Sequence, residues 1–135
     1  MNNKKSNRVE IPGFSVLDQW LTNYKAGKRI ESFFIDNNYR RIAIYGFGRL
    51  SVHVLEELKD SSVEVIYGID RNPDSCFVSG IDIIKPEQIL SVEFVDAIVV
   101  TPIQFFNEIE SDLVSYGYKG EVISLAQVVD YVGWM

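Results

Sequence analysis

The chain has 135 residues, 47% hydrophobic and 24% charged, with 13 Lys and Arg against 19 Asp and Glu for a formal net charge of −6. That length suits one domain, which buries roughly two thirds of its unfolded surface and needs no disulfide or metal to fold. The acidic balance argues against nucleic acid as the main partner, since phosphate binding draws on clustered Lys and Arg. Cys76 is the single cysteine, which excludes an internal disulfide and fits a reducing compartment. No stretch approaches the ~20 apolar residues of a membrane span, and the N-terminus carries no apolar signal region. A cytoplasmic location is therefore expected.

Residues 1–12 read as a polar tail, with Lys4, Lys5 and Arg8 on a solvated arm. A first helix starts near Ser15, with Asp18 three residues on as an acidic capping box. Leu17, Trp20, Leu21 and Tyr24 follow at helical spacing, and Gly27 ends the pattern. Ile30, Phe33 and Phe34 mark a second short helix, closed by Asn37-Asn38. This aromatic stripe could cover an open face of a sheet or bind another subunit. Residues 1–38 thus form a tail and helical extension ahead of the unit at 39–135.

The first strand is 41–45, followed by Gly46-Phe47-Gly48 and a helix from Arg49 to Lys59 that buries Leu50, Val54, Leu55 and Leu58 and turns Glu56 and Glu57 outward. The second strand, 63–69, ends at Asp70. Residues 71–80 carry turn signals and no helical period, so a crossover helix is not expected there. A short third strand, 81–84, precedes Pro86 in the first turn of a small helix. The fourth strand, 95–100, ends at Thr101-Pro102. A helix then places Phe106, Ile109, Leu113 and Tyr116 on one stripe and stops at Gly117 or Gly120. The fifth strand, 121–124, leads into a last helix with Ser124 and Gln127 as a capping box.

Near-continuous apolar strands alternating with helices signal an α/β fold with a parallel sheet covered on both faces. Right-handed crossovers favour the order 3-2-1-4-5, a Rossmann-like three-layer arrangement. Ligands in such sheets bind outside the carboxyl ends of the strands where the order reverses, here between Gly46 and Thr101.

The glycine turn suits that place. Glycines bring backbone close to a phosphate, and the helix after them offers unpaired N–H groups. Asp70, closing the next strand, stands where an acid accepts from a ribose, and it would repel the 2′-phosphate of NADP. The same residues, Asp70-Arg71-Asn72-Pro73, also make a good turn. Ser51 occupies the position of the third small residue and offers a hydroxyl. Arg49, disfavoured by the helix dipole, would be favoured by a bound anion. Phe47 could stack over a base or fold into the crevice. The nucleotide-binding candidates are therefore Gly46, Phe47, Gly48, Arg49, Ser51, Asp70, Arg71 and Thr101. No catalytic or metal-ligating set is legible. His53 reads as a surface or packing group, Cys76 as an ordinary small side chain, and the Tyr24 and Lys28 pair as a coincidental dehydrogenase-like spacing.

The runs Ile42-Ala43-Ile44-Tyr45-Gly46-Phe47-Gly48, Tyr67-Gly68-Ile69-Asp70-Arg71-Asn72-Pro73, Asp82-Ile83-Ile84-Lys85-Pro86-Glu87 and Val95-Asp96-Ala97-Ile98-Val99-Val100-Thr101 resemble a small Rossmann module of bacterial surface-polysaccharide biosynthesis. The module is similar to the CoA-binding-type domain ahead of the nucleotide-sugar epimerase/dehydratase domain in capsule and O-antigen enzymes. It is also similar to the N-terminal UDP-sugar-binding domain of bacterial sugar acetyltransferases. The resemblance spans about residues 15–132 and implies that Gly46, Gly48, Ser51 and Asp70 hold a nucleotide. The expected ligand is NAD(H) or a UDP-sugar, without a metal. The chain ends at Met135, where a catalytic domain would begin in those relatives, so independent catalysis is not expected. The alternatives are a non-binding relic that serves as an oligomerisation or partner-docking subunit in polysaccharide biosynthesis, and a fragment of an NAD-dependent epimerase/dehydratase.

Overall fold

The computed structural model describes residues 13–75 and 80–135. Helices α1 (Phe14–Lys25) and α2 (Glu31–Asp36) precede β1 (Arg41–Tyr45), α3 (Arg49–Leu58), β2 (Glu64–Ile69) and β3 (Ile83–Ile84). Then come β4 (Ala97–Val100), α4 (Phe106–Ser115), β5 (Glu121–Ser124) and α5 (Leu125–Gly133). Short 3-10 turns lie at Pro73–Ser75, Pro86–Ser91 and Ile103–Phe105. Cys76 falls outside the described residues.

The strands form one parallel sheet in the order β3-β2-β1-β4-β5, as the hydrophobic pattern predicts. Its central strand β1 pairs Ile42 with Ala97 and Tyr45 with Val100 on one side, and Arg41 with Glu64 and Tyr45 with Ile69 on the other. Strand alternation then divides the core. Ile42, Ile44, Ala97 and Val99 pack against Val54 and Leu58 of α3 and Val128, Val129 and Val132 of α5. Ala43, Tyr45, Ile98 and Val100 pack against Ile109 and Leu113 of α4. Both faces are covered, so the strands read as continuous apolar runs rather than alternating ones. Strand β3 is shorter than its apolar run, pairing only at Gly68 and Ile69 of β2.

The N-terminal helices share the first of these cores, through Trp20, Ile30, Phe33 and Phe34. Polar contacts fix them there: the buried Asn23 donates Nδ2 to the Val129 carbonyl at 3.0 Å, and Lys28 Nζ donates to the Gly133 carbonyl at 3.0 Å. The apolar stripe expected of α1 is split between two faces. Trp20 is buried, whereas Leu17, Leu21 and Tyr24 are exposed alongside Phe14. Helix α1 starts from Gly13 without a side-chain cap, so the Ser15 and Asp18 box does not form. Glu57 also departs from its outward assignment: its carboxylate accepts from Trp20 Nε1 at 2.8 Å and from the Ile30 backbone N–H. That acid satisfies an indole and a helix-end donor that burial would otherwise leave costly. No helix among the described residues is long and apolar enough to cross a membrane.

Candidate functional site

Strands β1 and β4 are neighbours whose chains leave in opposite directions, β1 towards β2 and β4 towards β5. Their ends meet at Gly46 and Thr101. Gly46 adopts φ +91°, and a Cβ there would lie 2.6 Å from Pro102 Cδ and 2.9 Å from Thr101 Oγ1. Backbone conformation and close approach both demand glycine. Thr101 is buried, its hydroxyl within reach of the carbonyls of Tyr45 at 3.0 Å and Gly46 at 2.7 Å. Its role in the structure is to tie the end of β4 to the end of β1.

Phe47 neither stacks over the crevice nor fills it. It is 2% exposed and belongs to the core formed with α3 and α5. Its ring lies where a Gly68 side chain would stand, with Cε2 2.2 Å from the position of a Gly68 Cβ. The glycine of β2 is what lets the aromatic anchor the turn from below. Above, the Phe47 N–H donates to Asp70 Oδ2 at 2.8 Å, and Asn72 N–H donates to Asp70 Oδ1 at 2.8 Å. Asp70 thus organises both the glycine turn and its own, accepting one of these bonds on each carboxylate oxygen.

Gly48 is different in kind. It is the N-cap of α3 without a side-chain cap, its φ is −90°, and no heavy atom lies within 4 Å of the position of a Cβ. No positive φ and no close protein neighbour require glycine there. Arg49 begins α3 and is exposed. Ser51 is fully buried and donates Oγ to the Gly48 carbonyl at 2.7 Å, so it braces the turn and allows close packing of helix on strand. Arg71 is exposed and pairs with Asp112 of α4 at 2.7 Å.

A cleft of about 360 Å³ opens beside this turn, lined by Tyr45, Asp70, Arg71, Pro102, Phe105 and Glu108. Tyr45, Phe105 and Glu108 are not among the sequence candidates, although Tyr45 closes β1 and the other two lie just beyond the end of β4. Tyr45 is 3% exposed, and its hydroxyl makes no hydrogen bond of good geometry among the described residues. Burial pushes its pKa up, and the Arg71 guanidinium pulls it partly back.

The remaining candidates lie elsewhere. His53 meets Trp20 edge-on at 6.1 Å in a groove between α1 and α3 and does not line the cleft. Tyr24 and Lys28 do not act as a pair, because the Tyr24 ring lies 3.7 Å beneath the Arg29 guanidinium and Lys28 is turned to Gly133. Among the described residues, no group of three or more His, Cys, Asp and Glu could hold a metal ion.

No curated protein matches the sequence. A family model described as C2185-like, N-terminal, matches residues 38–124, from the turn before β1 to the end of β5. The matched span carries the glycine turn, Asp70, Thr101 and the cleft, and the chain belongs to this C2185-like N-terminal family.

Proposed function

We propose that the chain is a nucleotide-binding module whose ligand, NAD(H) or a UDP-sugar, rests its phosphates on the turn Gly46–Ser51 and a ribose on Asp70. The observation that carries this reading is the space over Gly48, where no heavy atom lies within 4 Å of the position of a Cβ, at the uncapped start of α3. Space over a helix N-terminus favours an anion, because the first-turn N–H groups lack intrahelical acceptors and the dipole adds attraction. Asp70 supports the same reading, since its carboxylate is held against the glycine turn by the Phe47 N–H. A place in bacterial polysaccharide or nucleotide-sugar metabolism rests on the sequence resemblance, as does the assignment of binding without catalysis.

The variant Gly48→Asp tests it. Aspartate is an N-cap at least as good as glycine, so helix α3 keeps or gains a few tenths of a kcal/mol. Its carboxylate would occupy and repel the anion position. The expected result is an unchanged or higher Tm with loss of the stabilisation that NAD(H) or a UDP-sugar gives the parent chain. That stabilisation is about 2.7 kcal/mol at one hundred times Kd. A parent chain that neither ligand stabilises would overturn the proposal.

A second reading, self-association, is favoured by a separate observation. Phe14, Leu17, Leu21 and Tyr24 are 60%, 40%, 51% and 49% exposed, at the 3-4-3 spacing of a helix-pairing seam. The partner proposed for this face is a second copy of the chain.

A further inference from the structure

Helix α3 has different neighbours on its two sides. On one side Trp20, Leu21 and Tyr24 of α1 share a groove with its His53 and Glu57. On the other, Val52, Leu55 and Lys59 face a second groove, of about 830 Å³, whose far wall is Val65 of β2 with Ile81 and Asp82 just before β3. Glu56 stands on the ridge between the two and lines both. The second groove lies where a doubly wound sheet expects another helix. Right-handed crossovers put the β2–β3 connection on the same face as α3. Among the described residues that connection holds only the 3-10 turn Pro73–Ser75. Val65 and Ile81 rest on the core beneath and are only partly buried, so an apolar floor stays open.

Helix α1 has the complementary lack, because its face of Phe14, Leu17, Leu21 and Tyr24 is turned to solvent. The order across this side of the molecule is therefore an apolar ridge, α3, and an open groove. A two-fold axis running along α3 reverses that order between copies and preserves helix direction, so each ridge comes to lie over the other copy's groove. Helix α1 runs beside α3 in the same sense. A Cβ at Gly13 would lie 3.5 Å from Leu50, and Trp20 and Glu57, each seven residues further on, are hydrogen-bonded. The axis thus brings the C-terminal end of α1, with Lys25 and Arg29, to the level where the partner's α3 ends and its β2 begins. Asp18 lies about two turns back. Glu56 and Glu64 stand at that level, with Asp82 further along the groove, against a single cation, Lys59. Opposite charges across a contact fix its register as well as attract.

We propose that the chain forms a two-fold dimer in which α1 of each copy fills the groove between α3 and β2 of the other, an assignment that rests on the self-association read from the exposed face of α1. The surface that receives α1 is then a groove and not a second α1. The contact is made twice, and it closes as a dimer instead of extending into a filament.

Sedimentation velocity of the full chain over a range of concentrations tests it, on the parent, on Lys25→Glu, on Glu64→Lys combined with Asp82→Lys, and on all three substitutions together. These side chains are exposed, so each variant should keep a Tm close to the parent's. The parent should be a dimer at high concentration. Lys25→Glu should weaken association severalfold by placing like charges across the contact, and so should the Glu64→Lys and Asp82→Lys pair. The triple variant restores opposite charges and should return association towards the parent level. A pair variant that dimerises as the parent does, while Leu21→Glu combined with Tyr24→Glu is monomeric, would overturn the groove as the docking surface and leave self-association through α1 standing. A triple variant that associates no better than the pair variant would also overturn the groove. A parent chain monomeric at high concentration would overturn both.

Discussion

The pairing of Phe47 with Gly68 is the residue-scale contact on which the candidate site depends. A single methyl at position 68 would stand 2.2 Å from the Phe47 ring, a distance no side chain tolerates. Gly68→Ala should therefore destabilise the fold by about 1–3 kcal/mol through overpacking, seen as a lowered midpoint in urea unfolding. Phe47→Ala should cost more, about 3–5 kcal/mol, by leaving a cavity where the ring was buried. Asp70 acts through two charge-assisted acceptances from backbone N–H groups, each at 2.8 Å. Asp70→Ala leaves both donors to solvent or unpaired and should cost about 2–3 kcal/mol. Because it also loosens the turn, its effect on ligand binding is less informative than that of Gly48→Asp.

Helix α1 presents two faces that behave differently at the scale of an element. Its inner face inserts Trp20 and ties Asn23 to α5, and Glu57 of α3 receives the Trp20 indole. Glu57→Ala should destabilise by about 1–3 kcal/mol, since it strands the Trp20 Nε1 and Ile30 N–H donors. The outer face is exposed, so Leu21→Glu combined with Tyr24→Glu should leave Tm nearly unchanged. If α1 mediates self-association, the same double variant shifts the chain to a smaller species in sedimentation velocity. A parent chain already monomeric at high concentration would remove that role.

The whole molecule carries a consequence of burying its tyrosines on the α4 side of the sheet. Burial, with Glu93 adding to it, pushes the Tyr67 hydroxyl up to about 12. Tyr118 is likewise pushed up by burial while donating to the Val95 carbonyl at 2.9 Å. A folded pKa above the unfolded value of 10.0 means the neutral forms contribute fully below that pH. Their contribution is lost as pH rises from about 10 through 12, where the unfolded chain ionises first. Stability should thus be level on this account up to about pH 9.5 and then fall, by about 2–3 kcal/mol for Tyr67 alone. Urea unfolding at pH 9 and pH 11.5 measures the fall. Tyr67→Phe should reduce it, at the small cost of a 3.3 Å hydrogen bond to Glu93 O.

The sequence by itself determined the α/β fold and the order of its sheet, because strand hydrophobicity and crossover handedness are properties of local pattern. The bounds of β1 and β5 were legible for the same reason, and so was Gly46, with its positive φ, as a turn. Other features needed distant neighbours. Only the tertiary structure turned Phe47 into the core, since that depends on Gly68 lying opposite on a neighbouring strand. It also rotated α1 so that Leu17, Leu21 and Tyr24 face outward while Trp20 and Asn23 are buried, a choice set by the docking of α1 on α5. It brought Tyr45, Arg71, Phe105 and Glu108 around one cleft, although they come from separate stretches of the chain. Periodicity records which residues must leave water; which of them meet is decided by the packing of one element on another.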